Sequence, residues 1–217
     1  MSINLPDKAG ATTQSAPQSY DDTADRRMRL MHAAKHVMAE VGYERASVDV
    51  ITQEAGLSQS ESLRYFPSKV ELLEAVFNSA WEPLNSRIAD IVMASYSARQ
   101  AVTAILSAML HILGKDEDLA RLLLFESRRQ HGNNCEIRQS RGFRDFLGLL
   151  VHVVERGQKD GSFTKSLPAP VVASALLGAA EGMVRDRLLA TMLSEPMPFA
   201  ESELRVAFES VISGFKP

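Results

Sequence analysis

The sequence predicts an all-α chain, and three observations predict it. Apolar residues recur at helical spacing from about residue 23 to the end, and no stretch alternates with the period of two that a strand requires. Helix starts are signposted by capping residues: Ser47, then Ser58 with Glu61 three positions on, then Ser68 with Glu71. Between them lie two short helical stretches joined by a turn containing Gly56, the composition of a helix-turn-helix.

Residues 1–22 are rich in Ser, Thr, Gln, Ala, Pro and Gly without periodicity, which predicts a disordered arm. The first helix is expected over residues 23–41, with Leu30, Ala33, Ala34, Val37, Met38 and Val41 on one face and Gly42 as a left-handed stop. His32 and His36 stand four apart, the spacing by which a helix can hold a metal. They lie opposite the apolar stripe with no third ligand, and a solvated pair is the plainer reading.

Residues 47–55 read as the next helix, Gly56-Leu57 as a tight turn, and residues 58–65 as a third helix closed by Phe66-Pro67. The second of two such helices lies in a DNA major groove in the motif's usual use. Gln59 can bond an adenine edge through two hydrogen bonds, Ser60 is adaptable, and Arg64 suits guanine O6 and N7. Glu61 either accepts from a cytosine amino group or completes its capping box. Val50, Ile51, Leu63 and Phe66 are expected to form the small core that fixes the two helices.

The run from about Arg26 to Ala75 resembles the DNA-binding domain of TetR-type (tetracycline-repressor-like) transcriptional regulators. The resemblance lies in the order of Val41-Gly42-Tyr43, Ser47, Ala55-Gly56-Leu57-Ser58 and Tyr65-Phe66-Pro67-Ser68-Lys69-Val70-Glu71-Leu72-Leu73. It departs at Glu61, where the family often has a small residue, and at Ser62-Leu63, where it often has Leu-Tyr. The resemblance implies phosphate contacts from Ser47, Tyr65 and Lys69, a double-stranded DNA operator as partner, and a domain division at residues 23–67 and 68–217. It also implies a ligand-sensing, dimerising second domain.

Charge alone would not suggest DNA. The chain carries 24 Lys and Arg against 27 Asp and Glu. Residues 23–75 hold seven basic and eight acidic side chains. Affinity for phosphate must then come from placement: Arg26, Arg27 and Arg29 near one helix start, Arg64, Lys69 and helix amides elsewhere.

A long helix is expected over residues 68–94, with a kink near Ala80 caused by Pro83. Residues 99–113 are apolar nearly all round, which predicts a buried helix. Thr103, Ser107 and His111 form one polar line along it, facing either a ligand cavity or backbone carbonyls and a neighbouring helix. Residues 116–129 follow with an acidic first turn, and there Glu126 replaces an expected apolar residue. It either pairs with an arginine or meets a polar or cationic ligand. Further helices are expected over residues 136–158, 169–193 and 200–215.

Of the last two helices, the one over residues 169–193 carries Ala175, Gly178, Ala179, Ala180 and Gly182, small residues that permit close helix approach. A homodimer through a four-helix bundle is therefore expected, since two half-sites need two linked readers. The effector cavity is expected among residues 77–183, with Phe77, Trp81, Met93, Met109, Phe125, Phe146 and Met183 as apolar lining and Thr103, Ser107, His111 and Glu126 as polar contacts. The effector is expected to be a small apolar or amphipathic molecule that releases the protein from its operator. The alternative keeps the fold and replaces the ligand by a protein partner.

No convergent nucleophile and base, phosphate-cradling glycine loop or metal set is found, so neither enzymatic activity nor a cofactor is expected. His131 and Cys135 read as an incidental loop pair. A single cysteine, no secretory leader and no run of eighteen apolar residues point to the cytoplasm and away from the membrane.

Overall fold

The computed structural model describes residues 19–94, 97–127 and 140–217, and among them every regular element is a helix. Helix α1 spans Ser19–Val41 and begins four residues before the expected start. Its early turns are supported by ion pairs one turn apart, Asp22 with Arg26 at 2.9 Å and Asp25 with Arg29 at 3.1 Å. Leu30, Ala33, Ala34, Val37 and Met38 are buried, whereas Val41 sits at the exposed edge.

Helices α2 (Val48–Ala55) and α3 (Gln59–Tyr65) form the helix-turn-helix. Ser47 accepts from the Val50 amide, and Gly56 turns the chain at φ 66°, a conformation that favours glycine. Ile51 and Phe66 are buried, as expected. Val50 and Leu63 are not core residues: each is 50% exposed. The inward position of α3 is Ser62, at 2% exposure, and a helix advances about 100° per residue, which carries Leu63 to the outside.

Helix α4 (Lys69–Met93) starts at Ser68, whose hydroxyl accepts from the Glu71 amide, and runs through Pro83 into the larger domain. Helix α5 spans Ala98–Leu113, opened by a Ser97–Gln100 capping box; α6 spans Glu117–Ser127. Helix α7 runs from Arg141 to Asp160 behind the cap Ser140, α8 over Ala169–Leu193, and α9 over Glu201–Ser213.

The most extensive contact is between α4 and α7. Two asparagines of α4 clamp the start of α7: Asn78 Oδ1 accepts from the Gly142 amide at 3.0 Å, and Asn85 Nδ2 donates to the Gly142 carbonyl at 2.8 Å. A Cβ on Gly142 would stand 2.5 Å from the Cβ of Trp81, so only glycine permits this approach. Trp81, Phe143 and Phe146 fill the junction, with the Trp81 and Phe146 ring centroids 4.9 Å apart. One continuous apolar core runs from Leu30 of α1 to Ile212 of α9. No described helix is long and apolar enough to cross a membrane.

Candidate functional site

The outward face of α3 presents Gln59, Ser60, Leu63 and Arg64, all exposed. The start of this helix is held from two directions by one carboxylate. Glu61 Oε2 accepts from the Ser58 amide at 2.9 Å and from its hydroxyl at 2.6 Å, while Oε1 pairs with Arg26 of α1 at 2.7 Å. The Ser58 bonds, with Arg26 adding to them, hold the Glu61 carboxyl below its ordinary range. Glu61 therefore serves as cap and strut, and of its two expected roles the structure supports the capping box.

Ser47, the cap of α2, is exposed. Tyr65 is half-buried. Lys69, in the first turn of α4, places Nζ 4.2 Å from the centroid of the Tyr43 ring and 3.3 Å from the Glu44 carbonyl, to which it donates. Partial burial pulls the Lys69 ammonium below its usual pKa. The three arginines of α1, like Lys69, each have a partner within the protein. Arg26 is shared between Asp22 and Glu61, Arg29 pairs with Asp25, and Arg27 lies 4.8 Å over the Phe66 ring. Of the basic groups on α3 and at the start of α4, Arg64 is exposed and Lys69 is half-buried.

In the larger domain, Trp81, Met109, Leu113, Leu123, Phe143, Leu177, Glu181 and Val184 surround a cavity of only 20 Å³. That is room for about one water. A second small space, of 10 Å³, lies beside Met109 and Phe146. Of the expected lining, Trp81 and Met109 reach the first cavity and Phe146 the second; Phe77 is fully buried in the core and Met183 packs against it. Met93 is 84% exposed and is not among the residues around either cavity. The polar line on α5 turns away from the cavity. Thr103 donates to the Arg99 carbonyl and Ser107 to the Thr103 carbonyl, and Ser107 and His111 face outward. The helix-bonding alternative fits these residues because short hydroxyls reach their own preceding turn.

Glu181 is the polar lining group that sequence reasoning missed. Its position between Leu177 and Val184, on the same stripe of α8, was the available signal. Phe125, Glu126, His131 and Cys135 fall outside the described side chains.

The two halves of the molecule are joined at a charged junction between α1 and α6. Lys35 pairs with Asp116 at 2.6 Å, and His36 Nδ1 with Asp118 at 2.9 Å. Asp116 also caps α6 by accepting from the Leu119 amide at 2.9 Å. His36 thus keeps 42% of its side chain exposed while pairing across to α6. The bond to Asp118, with Glu54 of α2 and Glu40 nearby, raises its pKa above the ordinary histidine value. No cluster of three or more metal-ligating side chains occurs among the described residues.

On α8, Ala175 and Gly178 are exposed, and a Cβ at Gly178 would meet nothing within 4 Å. Elsewhere on α8 Val171, Leu189, Met192 and Leu193 are exposed apolar side chains, as is Val206 of α9.

The model for bacterial regulatory proteins of the tetR family matches residues 30–76, and that for the C-terminal region of YsiA-like proteins matches residues 77–195. The fatty acid metabolism regulator protein of Bacillus subtilis is 23% identical over 159 residues, covering 72% of this chain and 80% of the relative. Nucleoid occlusion factor SlmA of a Marinomonas species is 20% identical over 173 residues, covering 80% of this chain and 88% of the relative. The crystal structure of the transcriptional regulator FadR from Bacillus subtilis in complex with stearoyl-CoA matches with a TM-score of 0.70 at 22% identity, over 86% of this chain and 95% of that one. With its helix-turn-helix and most of its larger domain matched, this chain belongs to the TetR family of transcriptional regulators.

Proposed function

We propose that the protein is a dimeric repressor that places α3 in the major groove of a palindromic operator and is released when an apolar or amphipathic small molecule enters the space around Trp81. One observation carries this reading. Helix α4 is continuous from Lys69, beside the outward face of α3, to Trp81, which walls the cavity of the larger domain. A molecule that moves Trp81 therefore moves the element on which the helix-turn-helix stands. Phosphate contacts come from Ser47, Tyr65 and Lys69, base contacts from Gln59, Ser60 and Arg64. The exposed face of α8, together with α9, is the surface for a second copy.

The chemistry of the effector follows from the lining, which is aromatic and aliphatic with the single carboxylate of Glu181. The FadR structure with stearoyl-CoA supports a long apolar moiety for this type of domain. A drug-sized ligand needs about 300–1,000 Å³. The present 20 Å³ means that an effector must displace Trp81, Phe143 or Leu177 as it binds. The same filled cavity favours a second reading, in which a protein partner replaces the ligand, and the relative described as a nucleoid occlusion factor keeps that reading open.

The test uses the intrinsic probe, since Trp81 is the only tryptophan. A library of acyl-type and aromatic amphiphiles is added to the protein on an operator selected from random DNA. An effector should alter Trp81 emission over the same concentrations that release DNA. Ligand and operator should weaken each other's binding by an equal factor, typically about 5–150-fold. Compounds that release DNA without touching Trp81 emission would move the site elsewhere, and a library without any releasing compound would favour the protein-partner reading.

A further inference from the structure

We propose that Leu63 is a specificity-determining residue that recognises the C5-methyl group of thymine in the operator. The inference rests on the placement of α3 in the major groove and adds a reader that its polar side chains do not supply. Ser62 marks the inward direction of the helix at 2% exposure, and its neighbour Leu63 stands half exposed between Gln59 and Arg64 on the outward face. Leu63 takes no part in the hydrophobic core. The core of the motif is closed without it, by Ile51, Ala55 and Phe66.

In the major groove the base edges offer donors and acceptors, and the C5-methyl of thymine is the apolar group among them. An aliphatic side chain carried into that groove strips water from whatever it faces. Against an amino group or a carbonyl it would leave a polar atom without a partner; against a methyl it would bury two apolar surfaces together. Gln59 lies one helical turn before Leu63 on the same ridge, so the thymine should lie close to the base that Gln59 reads.

The strut from Arg26 to Glu61 fixes the helix start, which keeps the four outward side chains in one relative arrangement. Removing the Leu63 side chain leaves these bonds untouched, and a half-exposed position on a capped helix tolerates alanine without loss of fold.

The test is a deoxyuridine scan of the selected operator, because uracil differs from thymine only by the missing methyl. For the parent protein, one thymine per half-site should weaken binding about fourfold when replaced, and about fifteenfold when both half-sites are changed. Leu63→Ala should bind the unmodified operator more weakly and be indifferent to the same replacement. A parent protein insensitive to every thymine-to-uracil change would overturn the proposal. So would a Leu63→Ala variant that keeps the full sensitivity. Gln59→Ala and Lys69→Ala run alongside: if neither alters binding, α3 is not in the groove at all, and the failure belongs to the underlying reading.

Discussion

Gln59 and Lys69 illustrate how two polar residues on one DNA-binding surface should fail differently. Gln59 is exposed on the outward face of α3, where a primary amide can bond two atoms of an adenine edge. Gln59→Ala should cost about 1–3 kcal/mol on the cognate operator and relax the preference at one base pair, as read by competition among operator variants. Lys69 is steered by the Tyr43 ring and the Glu44 carbonyl toward a fixed position. Lys69→Ala should weaken all sequences alike and reduce the slope of log affinity against log salt by about one. With Arg26, Arg27 and Arg29 held by partners inside the protein, a small total salt slope is expected for a reader whose basic groups are few.

Two junctions between elements carry predictions of their own. The first is the α1–α6 contact, where His36 meets Asp118 of α6, Glu40 of its own helix and Glu54 of α2. These carboxylates raise the folded pKa of His36 above the ordinary histidine value of about 6.5. A raised pKa means that the pair stabilises the folded junction fully below the unfolded value, and that this contribution fades as pH climbs through the folded value. Thermal midpoints should therefore fall in the window beginning near pH 6.5 and extending above it. Asp118→Asn should flatten that part of the profile, and an unchanged profile would show that the pair contributes nothing. The second junction is Gly142 of α7 against Trp81 of α4, where an added Cβ would stand 2.5 Å from the indole-bearing Cβ. Gly142→Ala should destabilise by about 1–3 kcal/mol through overpacking, measured by denaturant unfolding.

For the whole molecule the decisive question is what covers the exposed face of α8. Gly178 stands in open space in a single chain, so leucine there clashes with nothing intramolecular. Exchange of an exposed helical glycine for leucine should even favour the helix by about 0.5–1 kcal/mol. Gly178→Leu should therefore leave the monomer folded and at least as stable while abolishing a dimer in sedimentation. A variant that stays dimeric places the interface elsewhere. Loss of the dimer should also abolish tight binding to a palindrome, because two readers spaced by one helical turn of DNA, about 34–36 Å, act together only when linked.

The sequence by itself determined the class of fold, the identity of the helices and the position of the helix-turn-helix. Those features rest on local chemistry: Ser47 and Ser58 cap within three residues, Gly42 and Gly56 permit left-handed turns where they stand, and apolar spacing fixes each helix. The exposure of Gln59, Ser60 and Arg64 was legible for the same reason. What only the tertiary structure decided is which neighbour each helix face meets. Whether Leu63 or Ser62 points inward depends on how α3 is rotated against the rest of its domain, and one residue is a 100° turn. The pairing of His36 with Asp118 joins residues 82 positions apart, and Glu181 joins Trp81 across two helices. The polar line of Thr103, Ser107 and His111 looked equally fit for a cavity or for its own backbone until α5 was packed. Helical periodicity sets which residues share a face; only packing sets what that face sees.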